Sequence, residues 1–126
     1  MISKTLTLLT ALASLSFGGH AIAHGDDHAA KYGGIVVATK AMDFEVVAKP
    51  ESIQLYLSEH GKVVKLDGAK ARVTLLNGAE KTDVELMPAG EKLEAKGTFK
   101  VQKGTRGIAS VTLAGKPAAV VRFEIK

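Results

Sequence analysis

The sequence predicts an all-β fold, and three observations support this prediction. Apolar and polar residues alternate with a period of two in about eight short runs, which is typical of strands with one buried face. Turn signals separate these runs roughly every 8–12 residues, as in antiparallel sandwiches and small barrels. No stretch has a convincing helical period. We therefore expect an antiparallel, immunoglobulin-like β-sandwich of about seven or eight strands, although the chain lacks the paired cysteines and core tryptophan of true immunoglobulin domains.

The predicted strands follow one another along most of the chain. The first lies within 32–40, where the pair Gly33-Gly34 precedes three β-branched residues. Alternation predicts the others near residues 42–49, 53–58, 71–75, 84–86, 93–95, 99–101, 109–113 and 121–125. Turn signals lie between them, at residues 49–50, 60–61, 67–68, 77–78, 88–90, 103–104 and 115–117. The pair Asn77-Gly78 is the strongest hairpin signal.

The first 23 residues have the pattern of a secretory signal peptide. Lys4 supplies a positive charge, residues 6–17 form an apolar run, and Ala21 and Ala23 occupy the −3 and −1 positions of a cleavage site. The apolar run is shorter than the roughly 20 residues of a membrane-spanning helix. We therefore expect a cleaved signal helix and an exported, periplasmic protein with no stable membrane span after cleavage.

Removal of residues 1–23 leaves a segment that we expect to be a flexible His/Asp tail, 24–31, and one β domain, 32–126. This length is sufficient for one core and too short for two. Without Lys4 the chain has 16 basic and 13 acidic residues, a net charge of +3 that is spread evenly along the sequence. The even spread argues against nucleic acid as a partner. Because the chain has no cysteine, disulfides, thiolate metal sites and a cysteine nucleophile are excluded.

The tail contains a cluster of metal-binding side chains. His24 and His28 lie four residues apart, with Asp26 and Asp27 between them. Imidazole suits Cu(II), Ni(II), Zn(II) and Co(II), and carboxylates can complete their coordination shells. The sequence therefore predicts a site for a divalent transition metal, with a merely polar tail as the alternative interpretation.

The position of signal cleavage decides whether the tail has an additional ligand. Cleavage after Ala23 makes His24 the first residue, so that its amine and an imidazole nitrogen close one chelate ring. Tetragonal nitrogen and oxygen coordination of this kind favours Cu(II). A competing cleavage site after Gly18, with Ser16 at its −3 position, removes this chelate. The Ala23 site is preferred because it matches the A-x-A form.

His60 and Glu59 are the candidates for further ligands from the folded domain. They lie in a predicted turn between strands, from which a side chain can reach the tail. The alternative is a solvent-facing turn that binds no metal. Met42 and Met87 offer thioethers suited to Cu(I). Both methionines lie in strand-like runs, however, so we expect them to fill the core.

The sequence does not predict an enzyme. It contains no nucleophile elbow, no H-E-x-x-H motif and no glycine-rich phosphate loop, since Gly33-Gly34 precedes a strand. A copper-dependent oxidoreductase centred on His24 is a distant alternative, because it requires a second, anchored histidine.

Three stretches, 31–37, 42–48 and 53–62, carry a resemblance to a known group of proteins. They contain Gly-Gly-Ile-Val-Val, Asp-Phe-Glu-Val-Val and Leu-Tyr-Leu-Ser-Glu-His-Gly-Lys. In the order of these three motifs the chain resembles small bacterial periplasmic proteins associated with heavy-metal efflux. It is also similar to the N-terminal region of some efflux adaptor subunits. Tyr32 stands where a histidine often precedes the paired glycines in those proteins.

The resemblance implies a periplasmic accessory that binds a transition metal or contacts the efflux machinery. Our first hypothesis is therefore a metal-binding or carrier protein linked to heavy-metal efflux or homeostasis. The second is an interaction module without metal, which docks on an efflux adaptor or another envelope protein through a strand edge or a loop.

Overall fold

The computed structural model describes residues 29–126, so the predicted signal helix and the tail residues 24–28 lie outside the described part of the chain. The described residues form nine strands with antiparallel pairing throughout, which confirms the all-β antiparallel prediction. The strands are β1 (Ile35–Ala38), β2 (Asp43–Lys49), β3 (Ser52–Glu59), β4 (Lys62–Val63), β5 (Lys70–Asn77), β6 (Glu80–Ala89), β7 (Lys92–Lys96), β8 (Arg106–Thr112) and β9 (Ala119–Glu124).

The strands are adjacent in the order β1-β2-β3-β7-β6-β5-β8-β9, and β4 pairs with the end of β3. The long strand β6 joins two halves, because it pairs with β5 over residues 80–86 and with β7 over residues 87–89. The two ends of this order, β1 and β9, also contact each other. The result is a nearly closed, barrel-like sheet. Within residues 29–126 no helix has the length and apolar character needed to span a membrane.

The core lies inside this sheet and consists mainly of inward-pointing strand residues, with Leu66, Ala69 and Leu113 added from the loops. Phe44 on β2, Leu55 on β3 and Leu93 on β7 are fully buried, and Leu55 pairs directly with Leu93. On β9 the ring of Phe123 lies over Gly107, its partner on β8, where a Cβ would overlap the ring. Burial of each large apolar side chain stabilises the fold by about 1.5–3 kcal/mol. Apolar burial therefore stabilises a domain that has no disulfide.

Two short segments differ from the predicted strands. Residues 99–101 form a loop, in which the N–H of Phe99 donates to the carbonyl of Pro50 at 2.7 Å and the ring contacts Gly97. Phe99 and Val101 pack against the core from this loop, so their alternation does not require a strand. The two-residue strand β4 was not predicted, because both of its residues are exposed and carry no alternation.

The strongest predicted hairpin is confirmed, but its loop is shifted by one residue. Asn77 is the last residue of β5, so that Gly78 and Ala79 form the loop. The Asn77 side chain donates to the carbonyl of Lys100 at 3.1 Å, and its Oδ1 accepts from the buried Thr105 hydroxyl at 2.6 Å. These contacts with a distant segment hold Asn77 in the strand.

Candidate functional site

The described chain begins with a segment, 29–34, that is fastened to the outer face of β2 through one carboxylate. Oε1 of Glu45 accepts from the N–H of Lys31 at 2.7 Å. Oε2 accepts from the N–H groups of Tyr32 at 2.7 Å and Gly34 at 3.0 Å. Glu45 is only 6% exposed, and hydrogen bonds to a charged acceptor contribute about 1.5–3 kcal/mol each. We call these three contacts the Glu45 clamp.

The clamp explains why both faces of β2 are buried. Sequence alternation predicts Glu45 and Val47 on the polar face of β2, yet both are buried. Gly34 lies directly against the carbonyl of Val46 and the side chain of Val47, where a Cβ would overlap the backbone. Glycine at this position therefore permits the close approach of the segment. The role of Glu45 has no sequence signal, because its partners are backbone amides that no side-chain pattern reveals.

Tyr32 provides a second contact between the segment and the sheet. Its ring stacks on that of Tyr56, with centroids 3.7 Å apart and planes 11° from parallel. Tyr56 on β3 pairs with Glu45 on one side and with Lys92 on the other, so the three residues form a row across the sheet. The Lys92 Nζ lies 6.0 Å from the Tyr56 centroid, at the outer limit of a cation–π interaction.

A polar network continues from Tyr56 to β7. The Tyr56 hydroxyl donates to Oε1 of Gln54 at 3.2 Å, and Nε2 of Gln54 donates to Oε2 of Glu94 at 2.7 Å. The hydrogen bond from Gln54 holds the pKa of Glu94 below its usual value, against the opposing effect of burial. The positive charges of Lys92 and Lys96 act in the same direction as this hydrogen bond. An ionised carboxylate therefore lies close to the tyrosine pair.

His60 and Gly61 form the two-residue loop between β3 and β4, which confirms the turn predicted at this position. Both have positive φ angles, 51° and 77°, and the flanking residues Glu59 and Lys62 pair with each other. Type I′ hairpin turns have this backbone, with both central residues left-handed. Within the described chain His60 is the one non-glycine residue with positive φ. His60 and Glu59 are both exposed.

A small cleft lies between the Glu45 clamp and this hairpin. Its lining includes Ala29 and Tyr32 from the segment, Ser58 from β3 and Val63 from β4. Ser58 pairs with Val63 and is two residues before His60. Ala29, the first described residue, therefore lies near the strands that lead into and out of the His60 turn.

The structure describes two of the six predicted metal ligands, Glu59 and His60, which are neighbours on the hairpin. The other four lie outside the described residues: His24, Asp26, Asp27 and His28. Within residues 29–126 no group of three His, Cys, Asp or Glu side chains is arranged to hold a metal ion.

The two methionines lie in different environments. Met42 packs against the core, as expected. Met87 is 64% exposed, so the prediction that it fills the core is wrong. Its neighbour on β6, Leu86, is buried, and successive residues of a strand point to opposite faces. Met87 must therefore point outward.

Comparison with known proteins gives one distant likeness. No family model matches the sequence, and no curated protein matches it. A solved structure described as a Br derivative of BhCBM56 is similar at 9% sequence identity and a TM-score of 0.43, over 72% of this chain and 99% of that chain. A likeness at this level does not bear on what the chain binds.

Proposed function

We propose that this chain is a periplasmic transition-metal-binding accessory or carrier protein linked to heavy-metal efflux or homeostasis. Cu(II) is the favoured ion, with Ni(II), Zn(II) and Co(II) as the alternatives. The proposed ligands come from the tail and from the β3–β4 hairpin: His24, Asp26, Asp27, His28, Glu59 and His60. The observation that carries the proposal is the Glu45 clamp, which holds the segment that begins at Ala29 on the sheet, near this hairpin.

The clamp supports metal binding because it shortens the chain that must be ordered. His28 is bonded directly to Ala29, and the five peptide units from Ala29 back to His24 span at most about 17 Å. Ordering one free residue costs about 1–2 kcal/mol. A tail anchored at residues 31–34 therefore loses less entropy on binding than a tail that is free as far as β1.

The backbone of His60 supports a role for its imidazole. Asparagine and glycine are the usual residues in type I′ loops, and a left-handed backbone at another residue costs on the order of 1–3 kcal/mol. His60 adopts this conformation in an exposed loop. A strained, exposed histidine beside Glu59 favours a functional interpretation over a purely structural one.

The test is calorimetric titration of the processed chain, with His24 as its first residue. Cu(II), Ni(II), Zn(II) and Co(II) are titrated separately into the protein and into the free peptide His-Gly-Asp-Asp-His. We expect Cu(II) to bind the protein at least about tenfold more tightly than the peptide, a difference of about 1.4 kcal/mol. Equal affinities would contradict the proposal, because the folded domain would then contribute no ligand.

Two variants separate the ligands from the residue that positions them. His60→Ala removes a proposed ligand, and Glu45→Gln loosens the clamp while every proposed ligand remains. Both should weaken Cu(II) binding. Glu51→Gln makes the same chemical change in the exposed β2–β3 turn, outside the clamp, and should leave the affinity unchanged.

We also propose that the barrel-like sheet is a flattened, immunoglobulin-like sandwich. The division of the strands supports this description, since β1, β2, β3 and β7 form one half, β5, β8 and β9 form the other, and β6 pairs with both. An experimental structure tests it, because the two layers of a sandwich are separated by about 10 Å.

A further inference from the structure

Arginine is rare in this chain, and its three arginine residues lie on adjacent strands. The sequence has 14 lysines but only three arginines. Arg72 lies on β5, Arg106 on β8 and Arg122 on β9, which are three adjacent strands. All three are exposed and alternate with buried residues, so they point outward from the sheet. Only one of the 14 lysines, Lys70, lies on these strands.

We call this surface the arginine face and define it by six outward-pointing residues: Arg72, Arg106, Ile108, Ser110, Val120 and Arg122. Cross-strand pairing sets their arrangement. Ser110 pairs with Arg72 on one side and with Val120 on the other, and Ile108 pairs with Arg122. Arg106 and Arg122 are therefore diagonal neighbours on β8 and β9, with Cα atoms about 7–8 Å apart.

Two of the three arginines have no charged partner within the described chain. Nη2 of Arg72 lies 3.3 Å from Oε1 of Glu85. Arg106 and Arg122 form no ion pair or side-chain hydrogen bond with any residue from 29 to 126. Glu124 pairs with Arg106 across the strands, yet it does not form an ion pair with it. Two neighbouring cations that have no charged partner among residues 29–126 form a surface that an external anion stabilises.

The arginine face has the composition of a protein interface. Val120 is 59% exposed, and Ile108 is half-buried among the arginines. Arginine is enriched at protein interfaces and among the residues that dominate binding energy, whereas lysine is depleted. The planar guanidinium also binds a carboxylate through two parallel hydrogen bonds, which an ammonium cannot do.

We infer that the arginine face is a docking surface for a folded protein partner that presents carboxylates around an apolar side chain. The partner's carboxylates pair with Arg106 and Arg122, and its apolar side chain packs on Val120 and Ile108. A continuous polyanion or an anionic membrane fits this face less well, because Glu85 and Glu124 lie beside the arginines and would repel it. The surface is independent of the proposed metal ligands, none of which it includes.

The experiment begins with site-specific photo-crosslinking in cells that export the full chain. Val120→p-benzoylphenylalanine places the crosslinker on the arginine face, and Lys49→p-benzoylphenylalanine places it on the other half of the sheet as a control. We expect one protein to crosslink at position 120 and not at position 49, and mass spectrometry identifies it. The absence of any product specific to position 120 overturns the inference.

The identified partner is then purified and titrated against the full processed chain. We expect Arg106→Glu/Arg122→Glu to bind at least about tenfold more weakly, while Lys40→Glu/Lys49→Glu, with the same change in net charge, binds normally. Arg106→Lys/Arg122→Lys should lose part of the affinity, because it keeps the charge without the paired hydrogen bonds.

Circular dichroism confirms that each variant compared is folded. Equal affinities of the two glutamate variants for the partner overturn the inference. Arginine-dependent binding of the purified chain to phosphatidylglycerol vesicles, in the absence of the partner, also overturns it in favour of a lipid surface.

Discussion

His60 combines an exposed imidazole with a left-handed backbone. Asparagine suits that backbone better, because Asn-Gly is a preferred pair in two-residue type I′ loops. We therefore predict that His60→Asn keeps or raises the Tm of the metal-free protein, by about 4–8 °C for each kcal/mol gained. The same variant should bind Cu(II) more weakly. Thermal denaturation followed by circular dichroism, with and without Cu(II), measures both effects.

Lys62→Asn is the control for this variant, because Lys62 is exposed and lies outside the two-residue loop. It should change neither the strain of the loop nor the affinity for Cu(II). A fall of several degrees in the metal-free Tm of His60→Asn would show that the imidazole stabilises the turn, and the argument from strain would then be wrong.

Glu94 gives a prediction about pH, because Gln54 is the main cause of its lowered pKa. We predict that Gln54→Leu moves the pKa of Glu94 upward, towards the usual value of 4.5. In the parent protein the folded-state pKa is below the unfolded-state value. The stability contributed by ionised Glu94 is therefore present above the unfolded value and is lost as the pH falls through the folded value. In Gln54→Leu this acid-dependent loss should be smaller.

The measurement is an NMR pH titration of the Glu94 side-chain carboxyl carbon in both proteins. Gln102→Leu, at an exposed position outside this network, is the control and should leave the titration unchanged. An unchanged pKa in Gln54→Leu would mean that Lys92 and Lys96, and not the hydrogen bond, lower the pKa of Glu94.

At the level of elements, the backbone of the segment 29–34 donates three hydrogen bonds to one side chain, that of Glu45. We predict that Glu45→Gln destabilises the protein by about 1.5–3 kcal/mol, because a neutral amide cannot accept all three hydrogen bonds and turns its NH₂ group towards a backbone donor. Hydrogen exchange should accelerate most at the amides of Lys31, Tyr32 and Gly34. Denaturant unfolding and amide exchange followed by NMR measure the two effects.

Glu51→Gln serves as the control here as well, since Glu51 is exposed in the β2–β3 turn. Its exchange pattern should match that of the parent protein. If Glu45→Gln accelerates exchange equally in β5 and in the segment 29–34, the carboxylate stabilises the whole fold and does not act as a local clamp.

The same elements show which parts of the structure the sequence predicts. Alternation located β2, β3, β5 and β8 because one face of each is buried against the core. It could not reveal that Glu45 is also buried, since its partners are backbone amides 11–14 residues away in the chain. Alternation also misassigned residues 99–101 as a strand, because Phe99 and Val101 reach the core from a loop. Alternation therefore locates the apolar face of a strand, but it reveals neither a polar residue buried by a distant segment nor the hydrogen-bond partners of that residue.

For the molecule as a whole, the sequence pattern does not determine the strand order. The pairing of β3 with β7 and of β5 with β8 joins residues that are far apart in the chain, with three and two strands between them. Each strand has a similar apolar face, so composition alone does not select its neighbour. This order brings the three arginines onto one face and brings the segment 29–34 close to the β3–β4 hairpin. Both proposals therefore depend on topology that the sequence pattern leaves open.

Metal binding should also change the stability of the whole molecule. A ligand that binds the folded state alone stabilises it by RT ln(1 + [L]/Kd), which is about 2.7 kcal/mol at a free ion concentration of 100 Kd. For a domain of this size we predict an increase in Tm of about 10–20 °C on addition of Cu(II) to the chain that begins at His24. The shift should be smaller where the unfolded tail also binds the ion, because only the difference between the two states counts. Differential scanning calorimetry measures it.

The matched variant is His24→Ala/His28→Ala/His60→Ala, which leaves the Glu45 clamp and the core unchanged. Its Tm without metal should equal that of the parent chain, apart from any change at the His60 turn, and Cu(II) should not raise it. A third protein with His60→Ala alone should show an intermediate shift, since the tail ligands remain but the folded domain contributes one fewer. An equal shift in all three proteins would mean that Cu(II) stabilises the fold through other residues, and the tail and hairpin would then not form the metal site.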